Sequence, residues 1–479
     1  MRRGFFGRRC ARQDRQPCTA IARLAEGTGC VRARTLKSSS HSRLFLPDAV
    51  RRVSLRSLLA SLKDGSTTRE DVHLQSAEPS AAFEGGRILT DLLDQDRRGY
   101  GLIAKRSALL QGRHPTNRRR TTMNIDFHYG VMFIIARKAG LTQNEAETVA
   151  HACQYVDDAT TDGLLKFRDG QRFERFASAH GMIDYRNRIS EDNRESWIPF
   201  HFVPGGDGAT FADRLVCRPN SAIAQALVCD ALARHRQDNA LHRLGVTLHA
   251  YVDTWAHQGF SGIVSKHNHV ENIIVDGNSH PGMTGKIAAA FEWIKDEIVA
   301  TTLSDFLPLG HGAALSFPDQ PWTVWHYTNG FGNKIDRNNL NDFLAAADRA
   351  YGAIRAFKDG KVVLDDKAAL PADTAMALRQ LLAENRSEDA DLRLDAIGKA
   401  IEDGKFPGVG SLPRYVAKGP NSWKQVATGI TASKDDGGKR PEWTPAFETS
   451  DYRRFHDAVK EHRAALLETI LPRHDLRVC

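Results

Sequence analysis

Four side chains able to hold a metal ion, His242, His249, Asp253 and His257, recur along Leu241 to Phe260 (L-H-R-L-G-V-T-L-H-A-Y-V-D-T-W-A-H-Q-G-F). At about 100° per residue, His249, Asp253 and His257 project at roughly 0°, 40° and 80°, and His242 falls back near about 20°, so all four share one edge of a helix. Imidazole nitrogen and carboxylate oxygen are donors that zinc and similar divalent ions take, and an i, i+4 pair can aim both at one ion. Asp253 lies at the centre of the stripe. Its two oxygens make it the candidate to bridge ions on either side. The spacing also suits the wet half of an amphipathic helix, because Arg243, Thr247, Thr254 and Gln258 adjoin the stripe. Against that, Gly245, Val246 and Ala256 line it, and it carries no Lys or Glu, the usual coat of a solvated face.

The element that must position these groups is legible in the same residues. Leu241, Leu244, Leu248, Val252 and Trp255 form an apolar stripe with the period that buries a helix against a core. Upstream, M-N-I-D-F-H-Y-G-V-M-F-I-I predicts a helix with His128 pointing inward, closed by Gly140. A lone inward histidine is more often a satisfied core residue than a ligand, unless other ligands converge on it. Thr142 and Glu145 form a capping box that opens a second helix, with Ala146, Val149, Ala150, Cys153 and Val156 facing the core. Asp157, four residues after Cys153, falls on that buried side beside Asp158 and needs a partner or a metal to offset desolvation. The run D-D-A-T-T-D-G also reads as an acidic helix end and turn.

Further candidates lie in less regular stretches. His180 and Asp184 sit in F-A-S-A-H-G-M-I-D-Y, and His201 in W-I-P-F-H-F-V-P-G-G, where Pro199, Pro204 and Gly205-Gly206 predict a loop. Either histidine could enter a site from there. His267 and Glu271 repeat the H-x3-carboxylate spacing, and His311 and Asp319 stand in a Pro- and aromatic-rich loop that either covers the site or packs Trp322 and Trp325. Helices are expected over 219–260 with a break near 236–239, and over 286–303, 340–358, 372–385, 388–403 and 449–470, with a Gly/Lys/Pro-rich loop at 405–445. Strand signals are weak. Neither a P-loop nor G-x-G-x-x-G occurs, so nucleotide-binding folds have no support.

The 479 residues carry a net charge of +8, yet residues 1–122 hold 25 Lys plus Arg against 11 Asp plus Glu. The basicity therefore belongs to an Arg-rich leader, read as mostly disordered, with Met123 as the favoured working start. Specific nucleic-acid binding is not expected of the remainder, and a binder acting through the leader is the weakest reading. The expected folded parts are a metal-site helical core over 123–330 and a C-terminal helical part over 331–479 packed on the same domain. No stretch has the apolar run of a secretory signal or a membrane span. Seven cysteines without a C-x-x-C pair suggest reduced thiols and a cytoplasmic setting.

M-N-I-D-F-H-Y-G-V, A-H-A-C-Q-Y-V-D-D-A-T-T-D-G and H-R-L-G-V-T-L-H-A-Y-V-D-T-W-A-H-Q together resemble an uncharacterised bacterial domain-of-unknown-function family across 123–479. More distantly, the order of ligands is similar to the zinc-dependent phospholipase C and P1 nuclease superfamily, all-helical phosphodiesterases with a trinuclear zinc site. That resemblance implies a mostly α, multi-helix fold. As metal ligands it implies His128, Asp157, His180, His249, Asp253, His257, His267 and Glu271, with His201 competing for the place of His180. The superfamily's N-terminal Trp has no counterpart here, and the interval from Asp253 to the next His is shorter than usual. Asp158, His242, His311 and Asp319 complete the candidates.

The expected protein is a metal-dependent hydrolase holding one to three divalent ions, zinc foremost, with Asp157 orienting or deprotonating a water. Its expected substrate is a small-molecule or lipid phosphoester. The competing expectation is a non-catalytic helical interaction protein with a structural metal or a buried His/Asp network.

Overall fold

The computed structural model describes residues 125–180, 190–280, 310–364, 367–432 and 440–478. The leader, Met123, Asp184, the helix expected over 286–303 and residues 433–439 of the expected loop lie outside the described residues. What is described is mostly helical.

The first helix, α1, begins as a π-helical stretch, Asp126–Val131, and continues as Met132–Lys138. His128 is fully buried in the π-helical part. Gly140, at φ +96°, ends the helix in a conformation that a side chain would disfavour. The expected capping box then opens α2 (Gln143–Asp158), Thr142 accepting from the Glu145 N–H and Glu145 from the Thr142 N–H. α3 (Ser190–Phe200) contains Pro199, so the expected loop starts only after it, at His201. Next come α4 (Ala222–Ala233), capped by Ser221, and α5 (Ala240–Ala256), which carries the histidine stripe.

α5 has no wet half. Except for Leu241 all its residues are buried, Arg243, Thr247 and Thr254 among them, because α2 and α4 pack on it from the N-terminal half of the fold and two later helices from the other. Gly245 sets the approach to α2. A Cβ there would lie 2.5 Å from the Val149 carbonyl oxygen and 2.7 Å from Ala152 Cβ. The bare backbone therefore brings the end of α2, with Asp157, against the middle of α5.

The weak strand signals understate the sheet content. β1 (Gly163–Lys166) and β2 (Arg172–Arg175) form one antiparallel pair. β3 (Val270–Val275), β4 (Asn278–His280), β5 (Val324–Asn329) and β6 (Lys334–Asn338) form an antiparallel sheet in the order β4-β3-β5-β6. The local cue was Asp276-Gly277, both at positive φ, the pair that a tight hairpin turn demands. Residue 330 lies in the turn that joins β5 to β6.

The C-terminal helices are α6 (Asn339–Lys358), α7 (Ala372–Glu384), α8 (Ala390–Glu402), the short α9 (Trp423–Thr428) within the expected loop, and α10 (Asp451–Ala464), which runs on into a π-helical turn, Ala465–Ile470. α6 and α10 are the two that complete the cover of α5. α1 is tied to α8 by a buried ion pair, Arg393 Nε and Nη2 reaching Asp126 Oδ2 and Oδ1 at 2.8 and 3.1 Å. Burial pushes the Asp126 carboxyl up, against the pull of Arg393.

Candidate metal centre

One turn of α5 separates His249 from Asp253, and the last turn of α2 delivers Asp157 opposite them. His201, just past α3, closes the group. His201 Nδ1 and His249 Nε2 stand 3.2 Å apart. Each lies 3.4 Å from Asp253 Oδ2, and they lie 3.8 and 3.7 Å from Asp157 Oδ1. Four ligands about 2.0–2.1 Å from a tetrahedral zinc stand about 3.3 Å from one another. The donor atoms of Asp157, His201 and His249 thus lie close enough together to hold one ion, with Asp253 Oδ2 beside both rings.

Backbone carbonyls fix which nitrogen of each ring faces inward. His249 Nδ1 is 2.8 Å from the Cys153 oxygen, and His201 Nε2 is 3.0 Å from that of Ser178. A carbonyl only accepts, so each ring must donate there, and its other nitrogen is left with a lone pair. This is how outer partners orient metal-ligating histidines. Burial pushes both rings down to about 4, so at neutral pH neither carries a second proton. Two lone pairs therefore meet at 3.2 Å, and neither nitrogen can donate to the other. Asp157 Oδ1 and both Asp253 oxygens are buried without a hydrogen-bond partner among the described residues.

The two carboxyls are pushed apart. Burial raises Asp157 well above the usual carboxylate range, and the charges of Asp253, Asp158 and Asp319 add to it. Burial would raise Asp253 too, but His249, His257 and His128 hold it well below that range. Gln154 Nε2 donates to Asp157 Oδ2 at 3.3 Å, leaving Oδ1 turned inward.

His128 and His257 flank Asp253. His128 Nε2 is 3.1 Å from Asp253 Oδ1, and its ring stacks on His249 with centroids 4.1 Å apart. Cys153 Sγ lies 3.5 Å from His128 Nδ1, and burial pushes this thiol far up. On the other side His257 Nδ1 is 3.6 Å from Asp253 Oδ2 and 2.7 Å from the His201 carbonyl oxygen. Its Nε2 is 3.4 Å from Asp319 Oδ1, and Asp319 Oδ2 is 3.5 Å from His311 Nε2.

The structure thus gathers His128, Asp157, His201, His249, Asp253, His257, His311 and Asp319 around one buried region. Five other candidates are placed differently. His180 binds Ser196 Oγ at 3.0 Å, and it is His201 that stands among the carboxylates. Asp158 accepts from the Tyr415 hydroxyl, and His242 meets Asp451 Oδ1 at 3.0 Å, two turns of α5 before His249. His267 and Glu271 do not form a second helical pair. Gly259, at φ +89°, turns the chain out of the helix, so His267 sits on a 3-10 turn against Asp213 while Glu271 lies exposed on β3. Sequence reasoning passed over Gln154, although its spacing of three residues before Asp157 marked it as a neighbour on α2.

Fold and site together define a mostly helical protein with buried His/Asp groups able to hold a metal ion. The chain belongs to DUF6765, a family of unknown function, which matches residues 123–470. No curated protein and no solved structure matches it. Among the described residues no helix is long and apolar enough to cross a membrane.

Proposed function

We propose that this protein is a metal-dependent hydrolase of phosphoesters, with its ion held by Asp157, His201, His249 and Asp253. The observation that carries the metal is the 3.2 Å approach of His201 Nδ1 to His249 Nε2, two lone pairs facing each other beside carboxylate oxygens that have no hydrogen-bond partner among the described residues. Mixed nitrogen and oxygen donors at near-tetrahedral spacing suit zinc. Bound there, a divalent ion would polarise a phosphoryl oxygen and acidify a water. Asp157, whose outer oxygen Gln154 holds at 3.3 Å, is the group that would orient or deprotonate that water. The phosphoester class rests on the order of His128, Asp157, His249, Asp253 and His257, which is similar to that of the phospholipase C and P1 nuclease superfamily. Its fold is part of the same proposal. The cytoplasmic setting rests on the free thiols Cys153, Cys217 and Cys229.

A second reading is favoured by one feature: four protein donors fill a tetrahedral sphere, as in structural zinc sites. Here the ion would staple α2, α3 and α5 together and perform no chemistry.

The two readings separate in one experiment on the full chain. Metal analysis is followed by turnover of bis(4-nitrophenyl) phosphate and 4-nitrophenyl phosphate, before and after chelation and zinc addition. Chelator-sensitive turnover restored by zinc supports the hydrolase. A bound ion without turnover leaves the structural staple, and a chain that neither carries nor takes up a divalent ion removes both.

A further inference from the structure

We propose that His257, His311 and Asp319 form a second divalent-cation site beside the first, an open one with three protein donors. The inference rests on the reading that the buried region holds metal, and goes beyond it in number and in kind.

The three donors converge closely enough to hold one ion. His257 Nε2 and His311 Nε2 approach different oxygens of Asp319, at 3.4 and 3.5 Å. His257 Nε2 and Asp319 Oδ1 have no hydrogen-bond partner among the described residues, and their side chains are only 2% and 3% exposed. Both rings are again held by carbonyls at the far nitrogen. His257 Nδ1 lies 2.7 Å from the His201 oxygen, and His311 Nδ1 lies 3.1 Å from the Leu315 oxygen. In the neutral rings each Nε2 is therefore left with a lone pair turned towards Asp319.

The short turn that carries Asp319 is built to stay in place. Asn339, fully buried at the start of α6, donates from Nδ2 to the carbonyls of Phe317 and Gln320 at 2.6 and 2.9 Å, while its Oδ1 accepts from Trp325 Nε1 at 3.0 Å. Leu315, which presents the carbonyl to His311, stands at φ +59° and ψ −136°. A leucine adopts that backbone only when its surroundings impose it, and such strain gathers at functional sites. On the opposite side Phe202 stacks on His257 with centroids 4.7 Å apart, an apolar wall that fixes the ring plane.

Three protein donors leave a coordination position for water or a substrate oxygen. An ion held by His257, His311 and Asp319 would present that open position beside the first group.

The test uses the full chain, stripped with a chelator and reloaded with Zn²⁺ or Co²⁺, with bound metal counted by mass spectrometry and the cobalt d–d absorption recorded. The wild type should hold two ions per chain. His311→Gln and Asp319→Asn should each lose one ion and the cobalt bands that belong to it, while far-UV circular dichroism stays as in the wild type. Asp157→Asn should weaken the other ion. A wild type holding one ion that His311→Gln and Asp319→Asn leave untouched would overturn the second site and leave the first standing, identifying His257, Asp319 and His311 as a plain hydrogen-bonded relay. A wild type holding none would remove both.

Discussion

His201 Nδ1 and His249 Nε2 face each other at 3.2 Å, each ring anchored behind by a proton donated to a backbone carbonyl, of Ser178 and Cys153 respectively. The two rings come from positions 48 residues apart, so no local turn forces the meeting. α5 holds one and the chain leaving α3 holds the other, and both are aimed at the space that Asp157 and Asp253 also face.

Asp253→Asn keeps the size of the side chain and one acceptor but removes the charge that stands within 3.6 Å of His128, His201, His249 and His257. Metal content should fall by at least one ion per chain, with an affinity loss no smaller than the about 10–100-fold typical of an outer-shell change. Helical content should be kept. Elemental analysis and circular dichroism on the same sample check this, with Asp162→Asn as the control expected to change little.

Stability of the metal-free protein should fall as the solution is acidified from about pH 6.5 to about pH 4. Burial holds His201 and His249 at about 4 and His151 and His456 at about 3, with His462 also well below its ordinary value. Unfolded, these rings titrate near about 6.5, so the unfolded chain takes up protons that the folded one refuses. Several groups work in the opposite sense, among them Asp126, Glu147, Asp342 and Asp457, each raised chiefly by burial. For His257, burial pulls down but Asp253 and Asp319 raise it on balance; Asp157 is raised chiefly by burial, and both contributions are lost as pH rises. Among the large shifts, five histidines stand against Asp157. Urea midpoints of chelated protein that stay level or rise on going from pH 7 to pH 5 would contradict the balance.

Gly245→Ala should separate α2 from α5. Its new methyl would press on the Val149 carbonyl and Ala152, which are backbone and a short side chain that cannot rotate aside. Overpacking of this kind costs about 1–3 kcal/mol. Metal affinity should drop with it, because Asp157 rides on α2 while His249 and Asp253 ride on α5. A urea titration and a metal titration of the same variant measure both effects. Met376→Ala, at an exposed position, is the reference expected to do neither.

Arg393→Ala strands Asp126 as a buried carboxylate, and loss of one partner of a buried pair costs about 3–5 kcal/mol. Replacing both, as Asp126→Leu with Arg393→Met, should be milder than the single change. A denaturation cycle over the four proteins tests that order.

The sequence made the parts of the site that lie on regular helices readable. Asp157, His249, Asp253 and His257 follow from spacing alone because α2 and α5 hold a regular phase through them. Thr142 and Gly140 marked helix ends because their chemistry is local. Spacing failed at His267 and Glu271, where the same i, i+4 interval spans a 3-10 turn and a strand and so points to no common face. It was silent on His201, His311 and Asp319, whose convergence is set by long-range contacts: carbonyls at Ser178 and Leu315, and Asn339 reaching back to the turn at Phe317. The amphipathic reading of α5 failed for a related reason. Arg243 is polar yet buried, because Asp230 on α4 meets it at 2.8 Å.

The π-helical start of α1 makes this protein sensitive to the loss of a single residue. From Asp126 to Val131 the chain carries a wider turn than an α-helix, with the Met132 N–H reaching back to Phe127. Deleting Gly130 would let this stretch relax into regular α-helical pairing, which by itself favours the shorter chain. Because a π turn holds one residue more than an α turn, the residues flanking the stretch would keep their faces, and those within it, His128 among them, would shift against Asp253. In-frame deletions that the surface loops tolerate should therefore be absent from 126–131 among functional variants recovered from a deletion library.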